Sequence, residues 1–318
     1  MGIYESFGVK PIINATGSVT RLGGAPMPSA VLEAYSEAAK LAVPVEQMQA
    51  AASRILAELT GTEAGLVTAG AASGLTLGAA AILARYDLSR MEQLPDADGF
   101  PREFLVAREQ RNGYDHAVRA AGVRLVDVGF NEQVANAGVR RTEVWEYESA
   151  IRPCTAGVLY VLSPSSMPPL EELVSMAHRH GLPVLVDAAA EVPPRANLKA
   201  IAATGADLVA FSGGKAIRGP QSTGILCGRK DLIQSAALQM LDMDDHPVLW
   251  DPPGDWMDRT KIPGIPRHGI GRGFKVSKEE IVALLTALRL FVEGEYDEEV
   301  SSYLLRLEQI KDRFQSLM

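Results

Sequence analysis

Asp207-Leu-Val-Ala-Phe-Ser-Gly-Gly-Lys215-Ala-Ile-Arg-Gly-Pro-Gln221 is the stretch whose reading decides the fold. The apolar run after Asp207 reads as a buried strand, and Gly213 and Gly214 let another group approach the backbone just before Lys215. A nucleotide P-loop would need glycine five positions before Gly214 and Ser or Thr after the lysine, but these positions hold Val209 and Ala216. Two readings are left for Lys215. It is a solvated lysine in a glycine turn, or an amine held on a rigid, partly dry element where it can bond a carbonyl carbon as a Schiff base.

Working outward from this stretch, short apolar runs alternate with helical patterns from about residue 64 to 240, the signature of a parallel sheet covered on both faces. The spacing predicts strands at Leu66–Thr68, Phe104–Ala107, Arg124–Val128, Val158–Leu162, Val184–Asp187, Leu208–Phe211 and Gly224–Cys227. Gly122, Gly181 and Gly205 punctuate the entries to the third, fifth and sixth. Residues 1–62 read as a loop-rich arm followed by a helix over Gln47–Leu59, and residues 63–242 as one large α/β domain. Residues 243–276 form a lid-like loop, since five prolines, five glycines and two tryptophans crowd the stretch Met243–Gly273. Residues 277–318 read as two amphipathic helices, the second with Leu304, Leu305, Leu307, Ile310, Phe314 and Leu317 along one side.

Composition removes several classes of function. With 31 Lys and Arg against 39 Asp and Glu, the 318-residue chain carries a net charge of −8, the wrong sign for general nucleic-acid binding. Cys154 and Cys227 are too few for a disulfide framework, and the N-terminal residues show neither a basic nor an apolar leader segment, so the expected location is the cytoplasm. The apolar run Ala64–Leu83 is broken by four glycines and reads as a buried strand and helix rather than a membrane span. Asp242, Asp244, Asp245 and His246 lack a recognisable ligand spacing, and no metal is expected.

Two further features change the reading of Lys215. Val184-Leu-Val-Asp187 is an apolar strand that ends in a carboxylate one strand earlier, so both residues face the same rim of the sheet. An aspartate there either caps the next turn or pairs with the protonated ring nitrogen of pyridoxal phosphate and keeps that ring electron-withdrawing. The second feature is the small-residue turn Thr68-Ala-Gly70-Ala71-Ala72-Ser73-Gly74 between a strand and a helix. It leaves the first N–H groups of the helix bare for a phosphate, or simply permits tight packing. Ser212 is placed to add a hydroxyl to the same phosphate.

Phe211-Ser-Gly-Gly-Lys215 with Gly219-Pro-Gln221, Asp187-Ala-Ala-Ala, and Asn14-Ala-Thr-Gly17 with Leu22-Gly-Gly24 carry a resemblance. The chain resembles the fold-type I pyridoxal-phosphate enzymes related to selenocysteine synthase (seryl-tRNA selenium transferase), and in particular the subgroup of D-glucosaminate-6-phosphate ammonia-lyase. The resemblance runs from about residue 3 to 290. It implies a mostly parallel α/β sheet with helices on both faces, with only the start of the usual small C-terminal domain fitting after Lys275. It further implies that Lys215 bonds the cofactor, that Asp187 holds its ring nitrogen, and that Gly70, Ala71, Ala72 and Ser212 cradle its phosphate. Gln110, like His116, falls where such enzymes place a group over the ring, and Gln221 and Ser222 fall where they reach a neighbouring subunit's site. Arg21, Ser163, Arg267 and Arg272 are the expected substrate contacts.

The expected activity is elimination of a β-substituent from an amino acid or amino-sugar acid, with or without a phosphate, by a homodimer or larger homo-oligomer. The alternatives are a selenium transferase, a racemase or aldolase on the same site, or a catalytically silent cofactor-binding protein. Selenium transferases read Leu-Gly-Arg where this chain has Leu22-Gly23-Gly24, and carry a tRNA-binding module for which no room is expected before Ile3. No nucleic-acid partner and no membrane are expected.

Overall fold

The structure is a computed structural model, and it describes residues 2–130, 141–241 and 246–316. Seven strands form one sheet: β1 (Ala64–Thr68), β2 (Glu103–Ala107), β3 (Arg124–Val128), β4 (Thr155–Val161), β5 (Val184–Asp187), β6 (Leu208–Ser212) and β7 (Gly224–Gly228). The helices before the middle of the sheet are α1 (Ile3–Ser6), α2 (Ser29–Ala39), α3 (Val45–Thr60), α4 (Ala71–Ala84), α5 (Leu88–Gln93) and α6 (Asp115–Ala120). Those after it are α7 (Val144–Ala150), α8 (Leu170–Arg179), α9 (Asn197–Ala200), α10 (Lys230–Gln239), α11 (Lys278–Glu293) and α12 (Asp297–Gln315).

The strand order is β1-β7-β6-β5-β4-β2-β3. Only β7 runs against its neighbours β1 and β6, and the rest are parallel, so the mostly parallel sheet expected from the sequence is present. The reversal has a short-range cause: residues 213–223 turn straight back from β6 into β7, without the helix a parallel crossover needs.

Successive strand residues point to opposite faces, and both faces are covered. Val184 and Val186 of β5 join the core built with α3, α8 and α11, whereas Leu185 joins the core built with α4 and α10. Burying one such side chain contributes about 1.5–3 kcal/mol, which is why the strands read as continuous apolar runs. Helix α4 lies flat on the sheet because its own residues are small. A Cβ on Gly78 would come within 3.0 Å of Leu185 and 3.3 Å of Leu208.

Helix α2 falls inside the lead-in that the sequence suggested was mostly loop. It packs on α11, which a capping box starts: Ser277 Oγ accepts from Glu280 N at 3.2 Å and Ser277 N donates to Glu280 Oε2 at 3.0 Å. Helix α12 differs from expectation in the other direction. Its apolar stripe is intact, yet no described residue of the helix is buried, and Leu304, Leu305, Leu307, Ile310 and Phe314 are all exposed. Leu317 lies outside the described residues. No helix among the described residues is long and apolar enough to cross a membrane.

Candidate active site

The carboxyl ends of the parallel strands make one rim, and strand register places the chemistry on it. Gly224 of β7 pairs with Thr68 of β1 on one side and Ser212 of β6 on the other. Two residues lower, Asp187 of β5 lies between Ala210 of β6 and Val161 of β4. Lys215 follows three residues after Ser212, so the amine, the carboxylate and the small-residue turn share a single edge.

The turn is shaped by its own hydrogen bonds. Gly70 N donates to Thr68 O at 2.9 Å, Thr68 Oγ1 to Gly70 O at 2.9 Å, and Ser73 Oγ to Ala69 O at 2.8 Å. Gly70 has φ +91°, a left-handed backbone that glycine adopts at little cost. Gly74 N closes the first helical bond, on Gly70 O at 3.1 Å, so the N–H groups of Ala71, Ala72 and Ser73 have no helical acceptor. A Cβ built on Gly70 would meet nothing within 4 Å, so the turn is open on the side where that Cβ would point. The hydroxyl of Ser212 makes no hydrogen bond among the described residues.

Asp187 is 8% exposed, and the one hydrogen bond to its side chain among the described residues comes from Ala189 N to Oδ1 at 3.1 Å. Burial raises its carboxyl above the usual carboxylate range, while the Ala189 N–H and the charge of Lys215 pull the other way. The Lys215 amine has no hydrogen bond or ion pair among the described residues, its backbone carbonyl accepting from Arg218 N at 3.0 Å. Bare donors around an open turn, a buried carboxylate short of partners and an unpaired lysine on one rim fit the phosphate, ring nitrogen and carbonyl of pyridoxal phosphate.

The other expected residues divide. Gln110 is buried, but its amide is used by the protein: Oε1 accepts from Val161 N at 3.0 Å and Nε2 donates to Met167 O at 3.2 Å, closing the loop after β4. Ser163 stands in that loop, within 2.9 Å of Ser166 Oγ. Gln221 donates to Thr20 O at 2.9 Å, bringing the turn that carries exposed Arg21 against the Lys215 loop. Ser222 donates to Glu280 at the start of α11. Arg267 is not brought to this rim within the chain, because its N–H sits on Glu92 of α5 at 2.8 Å, beyond the far end of α4. Arg272 lies between, in a turn whose Gly271 contacts Leu77 of α4 and Gln239 of α10. His116 is exposed on α6.

Glu191 is the residue the sequence reading overlooked. It follows Asp187 by one turn, with Glu191 N on Ala188 O at 3.1 Å, and lies in electrostatic reach of both Asp187 and Lys215. Asp242, Asp244 and Asp245 lie outside the described residues, and no group of His, Cys, Asp and Glu among the described residues is arranged to hold a metal ion. A cleft of about 460 Å³ lined by Glu63, Tyr86 and Lys230 opens at the opposite ends of the strands, away from Lys215.

Comparison with known proteins places the chain in a family. Residues 117–242 match the Aminotransferase class-V family. The chain is 31% identical to a D-glucosaminate-6-phosphate ammonia lyase of Salmonella typhimurium, covering 92% of this chain and 71% of that protein. It is also 31% identical to a 5'-C-glycyluridine monooxygenase-decarboxylase of a Streptomyces species, covering 99% of this chain and 71% of the relative. The solved structure of D-glucosaminate-6-phosphate ammonia-lyase superposes with a TM-score of 0.76 at 29% identity, over 92% of this chain and 71% of that one. Fold and site therefore define a fold-type I pyridoxal-phosphate-dependent enzyme. The chain belongs to the selenocysteine synthase-like family of these enzymes, with the D-glucosaminate-6-phosphate ammonia lyase and the 5'-C-glycyluridine monooxygenase-decarboxylase as relatives.

Proposed function

We propose that this lyase removes the α-proton of an amino-sugar acid or related amino acid and expels its β-hydroxyl, with release of ammonia after the elimination. The observation that carries the proposal is Lys215 beside Asp187 under the open turn at Gly70, in a chain alike to an ammonia lyase over 92% of its length. Pyridoxal phosphate, when bound, supplies the electron sink that makes the α-proton removable.

The chain's own residues supply the rest. The N–H groups of Ala71, Ala72 and Ser73, with Ser212, hold the phosphate, and Asp187 holds the ring nitrogen in its protonated form. Lys215 would hold the carbonyl carbon and, as a free amine, would be the base for the α-proton. Arg21 and Ser163 line the approach as substrate contacts. In this reading Arg267, Arg272, Gln221 and Ser222 act toward the site of a second copy in a cytoplasmic homodimer or larger homo-oligomer. The exposed apolar side chains of the arm, such as Ile12 and Ile13, fit that assembly.

The chain lacks room for the arginine of selenium transferases. Gly24 has φ +75°, and a Cβ there would meet the Gln221 side chain at 2.9 Å. The test is the visible spectrum before and after borohydride with peptide mapping, then keto-acid and ammonia release from D- and L-amino acids and sugar acids. A reducible band, a pyridoxyl group on Lys215 and keto acid formed with ammonia are expected. Oxygen uptake with carbon dioxide release would instead place the chain with the Streptomyces relative's chemistry.

A further inference from the structure

We propose that Glu191 is the acid that protonates the departing β-hydroxyl, an inference that rests on the elimination reading above. Three observations converge on it. The turn Asp187-Ala-Ala-Ala-Glu191 leaves the end of β5 on the catalytic rim and is held there at both ends: Ala189 N sits on Asp187 Oδ1, and Asn197 Nδ2 donates to Glu191 O at 2.6 Å. The Glu191 carboxylate has no hydrogen bond or ion pair among the described residues, although it is only partly exposed. The charged groups that act on it are the two functional ones, Asp187 and Lys215.

The chemistry assigns different tasks to these groups. Asp187 is the more deeply buried and is committed to the ring nitrogen. Lys215 is assigned the α-proton, and the unpaired Glu191 carboxyl is a separate group for the departing oxygen. Loss of hydroxide from carbon is slow unless the oxygen receives a proton as the bond breaks, and general acids contribute about 10²- to 10⁴-fold to such steps. Burial, and then the charge of Asp187, raise the Glu191 carboxyl above the ordinary range, so it keeps a proton to higher pH than a surface glutamate.

Lys215 first accepts the α-proton, and in the following step the electron pair left on the α-carbon becomes the α,β double bond. The C–O bond breaks with its electron pair on oxygen, and the Glu191 proton completes a water molecule. Glu191 recovers a proton from solvent through its exposed side.

The test compares holoenzyme with Glu191→Gln and Glu191→Asp on a β-hydroxy substrate and on its β-chloro analogue, whose leaving group needs no proton. Glu191→Gln should lose roughly 10²-fold or more on the hydroxy substrate, keep chloride elimination near the wild-type rate, and keep α-proton exchange in D2O. Glu191→Asp should recover part of the loss. Independently of turnover, the 13C-labelled Glu191 carboxyl of the cofactor-free protein should titrate above the usual glutamate range and move down in Asp187→Asn. Equal losses on both leaving groups, or an undiminished hydroxyl rate, would overturn the role of Glu191. A wild type that expels neither group from any compound tested removes the lyase reading itself.

Discussion

Gly224 lies so close to Gly70 that a Cβ on Gly224 would sit 2.4 Å from the Gly70 carbonyl carbon and 2.5 Å from Ala71 N. The antiparallel strand β7 is thereby the wall against which the turn proposed to hold the phosphate is set. Gly224→Ala should push that turn off its position at a cost of about 1–3 kcal/mol. Cofactor affinity is expected to fall roughly tenfold to a hundredfold, read by titrating apoprotein with pyridoxal phosphate, while the far-ultraviolet spectrum stays native.

Burial of Asp187 and Glu191 gives the cofactor-free protein a predictable pH dependence. Both carboxyls are raised in the folded state, so the native chain binds more protons than the unfolded chain. Stability therefore falls as pH rises from the ordinary carboxylate range through the raised native values. Asp187→Asn should flatten this fall and raise the apoprotein Tm at neutral pH, but not well below the ordinary carboxylate range. Melting curves across pH check the sign, and a variant less stable than wild type at neutral pH would contradict it.

Asp207 separates stability from catalysis. It is 2% exposed and takes Val184 N at 2.8 Å, His178 Nε2 at 2.9 Å and Arg229 Nη1 at 2.8 Å, tying β5, α8 and the start of α10 together at the rim opposite Lys215. Asp207→Ala leaves these donors without their buried acceptor and should cost roughly 3–5 kcal/mol, seen in denaturant unfolding. The spectrum of bound cofactor should be unchanged.

Gln239 offers the opposite experiment. Its side chain is fully buried, and neither amide atom meets a hydrogen-bond partner among the described residues. Gln239→Met keeps the length and removes the unsatisfied dipole, so a gain of about 1 kcal/mol is expected. Chemical denaturation measures it.

Six of the strands were legible from sequence because they are buried on both faces, and the edge strand β3, only partly buried, was legible from the glycine before it and its short apolar run. Val184–Asp187 and Arg124–Val128 are read from the sequence with the bounds they have in the structure, and the others differ by a few residues at their ends. Helix α2 escaped because its one fully buried side chain is Val31, and what holds it is α11, more than 200 residues away in sequence. The exposure of the α12 stripe was equally illegible, since helical periodicity says which side is apolar and not whether the chain covers it.

Within the site, Lys215, Asp187 and the Gly70 turn were readable because local pattern fixes each one: a strand end, a glycine pair, a run of small residues. Glu191 and Gly224 were not, since their meaning depends on which strands lie side by side. By itself the sequence determined the alternation of elements, the two-faced core and the place of Lys215 just past a strand end, all set by local backbone preference and the period of apolar residues. Tertiary structure alone decided that β7 runs backward between β1 and β6, that Gln110 spends its amide on the β4 loop, and that Arg267 lies away from Lys215. Those follow from packing and hydrogen-bond satisfaction between residues far apart in the chain, which no local pattern encodes.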